Sequence, residues 1–376
     1  MPVESFTTAI GQVADWVTEG VVAGAAAAVW HDGQLVAAVE FGEARPGRAV
    51  TPETLFALAS VSKPVTAAVV LRQVELGALD LDGYVVDILP EFGSTDDPFA
   101  DDAYPQLEAM RDQVTIRQLL CHTSGLPENI GAKRVRMRDQ PTLAAMSEIM
   151  CRLPLQSAPG ERLRYSNAGY GVAAMAAERA SGQRSPDLLR GTVLDPLGID
   201  DLLLQPAPDV DERLAYIAEA ASAGTPVESY NSPYWRGLGI PWGGMYGTTR
   251  AALAFATAFL PSARRLFADE TVAAMTTDQT GGVPGGVESF GAIWSVGRWG
   301  AGWEVKGEKT NHWTGRLTSP RTFCHWGQSG TLVWADPDRE LALAVFGNRT
   351  VRQPWPIRPP RWARLSDAVV TAADGN

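Results

Sequence analysis

The chain has 376 residues, 45% of them hydrophobic and 20% charged, which excludes a disordered, collagen-like or coiled-coil chain and leaves room for two lobes. Its net charge of −11 repels phosphate backbones and anionic bilayers, so neither nucleic acid nor membrane is an expected partner. Apolar stretches such as 21–30 and 65–71 are too short to span a bilayer, residues 1–12 lack a basic, apolar leader pattern, and Cys121, Cys151 and Cys324 lack CxxC spacing; a cytoplasmic, reducing setting is expected.

Phe6, Ile10, Val13 and Val17 recur at helical spacing ahead of Gly20, which predicts an opening helix. Apolar runs at 25–30 and 35–41 flank His31-Asp32-Gly33 and predict a hairpin. Residues 60–79 are apolar nearly all round, the signature of a buried helix. The stretch 94–102 is acidic and reads as a solvated loop. Thr115-Ile116-Arg117-Gln118 has the form of a capping box. Helical patterns follow at 168–181, ending at Gly182, and at 249–260. A second hairpin is expected from 331–335 and 341–346 around Asp336-Pro337-Asp338, then a final helix over 361–373. Strands at both ends with helices between them predict an α/β chain. One sheet is assembled from the two termini, and a helical domain is inserted into it, divided as 1–62, 63–240 and 241–376. No nucleotide-binding, α/β-hydrolase or metal-ligand pattern is present, so no cofactor or metal is expected.

Three short patterns can carry chemistry. Ser60 and Lys63 form the single Ser-x-x-Lys, in a chain with only four lysines. Residues i and i+3 of a helix are neighbours, and a desolvated lysine can take a proton where an arginine cannot. A capping serine beside a snorkelling lysine is the alternative. Tyr165-Ser166-Asn167 precedes a helix; a tyrosine near cations can shuttle protons and an asparagine can hold a carbonyl, although the tripeptide also suits a plain N-cap. His325-Trp326-Gly327 leads into Gln328, where a glycine lets backbone approach a ligand and neighbouring N–H groups can supply half an oxyanion hole. A bulged strand is the alternative.

Together, and in order with 114–126, Asp195-Pro196-Leu197-Gly198, 242–250 and 325–337, these patterns resemble the serine β-lactamase and penicillin-binding-protein superfamily, in its class C-like branch of esterases, D-amino-acid peptidases and acyltransferases. The resemblance covers most of the chain from about residue 20. It implies a β-lactamase-like α/β fold, with an antiparallel sheet flanked by terminal helices and an inserted helical domain. It makes Ser60 the acylated nucleophile, with Lys63 and Tyr165 sharing its proton, the N–H groups of Ser60 and Gln328 forming the oxyanion hole, and Asn167 contacting substrate. Where β-lactamases carry Lys-Thr-Gly this chain has His325-Trp326-Gly327. The lost cation and the added bulk weigh against penicillins and peptide C-termini and favour neutral esters.

Eight of twelve tryptophans lie between 235 and 334. Tyr230, Trp235, Trp242 and Trp326 are candidate pocket lining, beside a well-packed core as the plainer reading. The segment 303–323 reads as an insertion rimming the same site, and His122 as a residue shaping a loop. The expected activity is a carboxylesterase on a small-molecule ester or amide; acyltransferase, D-amino-acid amidase, weak β-lactamase and a non-catalytic sensor are the alternatives. Oligomeric state is not legible.

Overall fold

The computed structural model describes residues 2–93, 105–263, 266–352 and 354–375; the acidic stretch 94–102 lies outside them. Two compact units are formed, one from Met1–Ser62, Leu194–Leu266 and Val305–Asn376, the other from Lys63–Val193 and Phe267–Glu304.

The first unit is built on six consecutive strands of a seven-stranded sheet, in the order Phe323–Gly327, Thr331–Asp336, Leu341–Gly347, Gly24–His31, Gln34–Arg45 and Arg48–Ala49. The first and last long strands pair antiparallel, Ala25 opposite Gly347 and His31 opposite Leu341, so the chain's two ends close one sheet. The first hairpin turns at Asp32 (φ 48°) and Gly33 (φ 84°), joining His31 to Gln34. Two left-handed residues are what a two-residue hairpin matched to strand twist requires. The second hairpin closes with Asp336 opposite Leu341.

Helices cover both faces. Phe259, just after the helix Thr249–Thr257, meets Phe323. On the opposite face Trp334 donates its indole N–H to Ser366 Oγ at 2.9 Å, anchoring the C-terminal helix Arg361–Ala373. A small sheet orders Phe56–Ala57, Met245–Gly247 and Leu202–Leu204. The segment 306–322 is a pinned loop: Lys306 Nζ donates to Thr318 Oγ1 at 2.8 Å, and Ser319 N–H to the buried Asp336 at 2.8 Å.

The second unit is mainly helical. Its helix Asn167–Ser181 is capped by the Ser166 hydroxyl and stopped by Gly182 at φ 71°. The Thr115 capping box forms as the pattern predicts. Leu163–Arg164 pairs in parallel with Gly285–Val287, and Ala292–Trp294 completes that sheet. A side chain at Gly285 would sit 1.8 Å from Leu163 O, so this approach demands glycine. No helix among the described residues is long and apolar enough to cross a membrane.

The division differs from the expected one in two places. Residues 194–240 pack with the terminal segments because Leu202–Leu204 pairs with Met245–Gly247. Residues 267–304 pack with the helical unit through Gly285 and Leu163. The helix expected from residue 60 begins at Ser62, preceded by a 3-10 turn over Ala59–Val61.

Candidate active site

Ser60 sits on that 3-10 turn, held from several sides within the first unit. Leu58 N–H donates to Met245 O at 2.8 Å, Met245 N–H to Ser62 Oγ at 3.1 Å, and Thr331 Oγ1 to Leu58 O at 3.0 Å. Ala59 takes φ 46°, a conformation that costs a non-glycine residue energy and persists only where the surroundings enforce it. The strain lies one residue ahead of Ser60.

Gly327 lies against the same turn: a Cβ there would fall 2.2 Å from Leu58 O and 3.2 Å from Ala59 Cβ. Its carbonyl accepts from Gly330 N–H at 3.0 Å, so the Gln328 N–H across that trans peptide points the opposite way. Alternation along Phe323–Gly327 puts His325 on the face of Gly327. His325 is buried and its Nδ1 donates to Trp326 O at 2.8 Å.

Trp326 points to the other face. Its ring meets Trp313 at 5.7 Å and Trp362 of the C-terminal helix at 6.4 Å. It is core between sheet and helix, which corrects its expected place in the pocket lining. Trp242 is half-buried and precedes Gly243, whose Cβ would lie 4.0 Å from Ala59 C. Tyr230 and Trp235 pack edge to face at 5.5 Å. Tyr230 also lies on a cluster of Leu55, Ala57, Leu214, Ile217 and Tyr246, with Tyr246 OH donating to its carbonyl at 2.6 Å.

Lys63 opens the second unit, three residues after Ser60 along the 3-10 turn and the helix Ser62–Glu75 that continues it. It is fully buried, and burial pulls its pKa from 10.5 down to about 7, opposed by the negative charge of Glu128. Its Nζ lies 4.8 Å from the Tyr165 ring centre and 5.8 Å from that of Tyr170. A lysine in such surroundings exchanges protons near neutrality.

Tyr165 is 7% exposed and follows the strand Leu163–Arg164, its N–H donating to Gly286 O at 3.2 Å. Asn167 N–H donates to Glu128 O at 2.8 Å and its Nδ2 to Asn129 Oδ1 at 2.8 Å. Glu128 also accepts from Ser289 Oγ at 2.9 Å, and burial raises its pKa. Trp299 stands edge-on to Tyr165 and to His122. Burial raises the Cys121 and Cys151 thiols to about 11 and 12, so both stay protonated and inert at neutral pH.

Lys63 and Tyr165 are thus brought together in one unit, and Ser60, Gln328 and His325 are positioned by one turn and one strand of the other. Glu128 and Trp299 escaped the sequence reading, since a lone glutamate and one tryptophan among twelve carry no pattern. His122 carried a signal in its His-Thr-Ser-Gly setting.

Known proteins agree with this architecture. Residues 10–366 match the Beta-lactamase family. The chain is 30% identical over 298 residues to penicillin-binding protein 4 of Amycolatopsis lactamdurans, covering 77% of this chain and 72% of that one. It is 37% identical over 191 residues to esterase EstB of Burkholderia gladioli, covering 47% and 46%. A family VIII carboxylesterase structure shares the fold with TM-score 0.77 at 21% identity, over 98% of this chain and 97% of that one. Fold and matches define a serine hydrolase of the β-lactamase and penicillin-binding-protein superfamily. The chain belongs to the Beta-lactamase family.

Proposed function

We propose that the protein is a carboxylesterase of small to medium neutral esters, working through an acyl-enzyme at Ser60. The observation that carries this reading is the buried Lys63 against Tyr165. Its pKa of about 7 makes it a base at neutral pH, three residues after a serine on a helical run. Lys63 and Tyr165 take the Ser60 proton as the hydroxyl attacks the ester carbonyl. The N–H groups of Ser60 and Gln328 receive the oxyanion. Collapse releases the alcohol, protonated by the same pair, and water then resolves the acyl-enzyme by the reverse proton path.

The ester preference rests on His325, which stands where β-lactamases present a lysine. The motif thus lacks the lysine that would pair with a substrate carboxylate, which favours neutral acyl groups over penicillins and peptide C-termini. The similarity to EstB supports the same reading. Asn167 and Trp242 are the expected substrate contacts. The cytoplasm is the expected compartment, since the three cysteines are free thiols suited to reducing conditions. A panel of p-nitrophenyl esters from acetate to decanoate, run beside nitrocefin and D-alanyl p-nitroanilide, tests the assignment. Turnover of the esters is expected to exceed that of the other two by orders of magnitude, and preferential cleavage of nitrocefin or the anilide would overturn it.

A further inference from the structure

His122 lies 43 positions before Tyr165 in the chain, yet it grips that tyrosine from both sides. Its carbonyl accepts the N–H of Arg164 at 2.8 Å. Its ring Nδ1 accepts the N–H of Ser166 at 3.0 Å. The residue between those two donors is Tyr165, and the imidazole lies against the phenol ring with centroids 4.4 Å apart and planes tilted by 35°. The far sides of the imidazole meet Tyr170 at 5.2 Å and Trp299 at 4.9 Å. One residue thus fixes the backbone before the tyrosine, the backbone after it, and the plane of its ring.

Two features tie this grip to position. His122 is buried and takes φ 62°, a left-handed conformation uncommon outside glycine and best tolerated by asparagine, aspartate and histidine. It lets the carbonyl and the side chain of one residue engage the same passing segment. Nδ1 accepts a backbone N–H, so that nitrogen carries no proton and the imidazole is neutral, with its hydrogen on Nε2. The ring therefore adds no second cation beside Lys63, whose Nζ lies 4.8 Å and 5.8 Å from the centres of the same Tyr165 and Tyr170 rings.

We propose that His122 is a positioning residue for the Tyr165 phenol, holding it in register with Lys63 by the paired acceptors at Arg164 and Ser166 and by stacking. The inference rests on Tyr165 being a proton-transfer group. Two substitutions separate the parts of the grip. His122→Phe keeps a ring and removes the side-chain acceptor. His122→Asn keeps an acceptor for Ser166 N–H, tolerates the left-handed backbone and removes the ring.

The test is steady-state ester hydrolysis across pH by both variants and by Tyr165→Phe, with circular dichroism to establish folding. His122→Phe is expected to lose about 10²-fold in kcat with KM within about threefold of wild type, and to displace the acidic limb of the pH profile, which a merely structural defect leaves in place. His122→Asn is expected to recover at least about tenfold over His122→Phe. A folded His122→Phe with wild-type kcat and pH limb overturns the proposal. So does a folded His122→Asn as impaired as Tyr165→Phe, and that outcome decides the matter if His122→Phe does not fold. Wild-type kcat in Tyr165→Phe defeats the proton-transfer reading itself; an impaired Tyr165→Phe beside an undisturbed His122→Phe defeats only the positioning role.

Discussion

Lys63 is one of four lysines in a chain that otherwise uses arginine, and its burial removes the water that stabilises an ammonium. The charged form is disfavoured, so the amine is neutral above about pH 7. A base works when deprotonated, and ester turnover is therefore expected to rise with pH through about 7. Glu128 opposes that shift because its carboxylate favours the ammonium. Removing the charge with Glu128→Gln lets Lys63 lose its proton more easily, so the acidic limb of kcat/KM moves to lower pH. Glu288, Arg162 and Arg164 also stand in this field: Glu288 acts on Glu128 and pairs with both arginines. A limb that stays put or moves upward in Glu128→Gln contradicts the assignment of Lys63 as the titrating base. Ser60 and Lys63 were visible in the sequence because their spacing is a local, helical property. The charge of Glu128 on Lys63 was not, because nothing at position 128 announces what tertiary packing brings near it.

The turn Ala59–Val61 and the end of the strand Phe323–Gly327 carry or adjoin the two N–H groups, of Ser60 and Gln328, that are proposed to receive the oxyanion. Gly327 is required by space: an added methyl meets Leu58 O at 2.2 Å and Thr331 Oγ1 at 2.3 Å, and the first of these is backbone that cannot swing aside. Gly327→Ala therefore pushes the strand end, with Gln328, away from the Ser60 turn. Expected is a fall of about 10²-fold in kcat with smaller change in KM, the scale of losing one oxyanion donor. A Gly327→Ala enzyme that keeps wild-type kcat contradicts the role given to Gln328. At this scale both hairpins were legible, since the apolar runs and the turn residues between them are close in sequence. The direction of Trp326 was not: both faces of this strand are buried, and only the contact with Trp362 of the C-terminal helix shows which of them Trp326 joins. The start of the buried helix was misplaced by two residues because the left-handed Ala59 leaves no trace in composition.

At the scale of the molecule, the pairing of Gly24–His31 with Leu341–Gly347 ties the beginning of the chain to its end, and that closure followed from strand patterns at both termini. The middle was less legible. Strands of two or three residues, Leu202–Leu204 and Leu163–Arg164, are too short to show a period, yet they decide which unit 194–240 and 267–304 join. In the proposed mechanism the Ser60 Oγ is the atom that becomes acylated. Intact-mass analysis after exposure to a fluorophosphonate, comparing wild type with Ser60→Ala, tests that most directly. One covalent adduct on wild type and none on a folded Ser60→Ala protein is the predicted result; an adduct of equal yield on Ser60→Ala would contradict it.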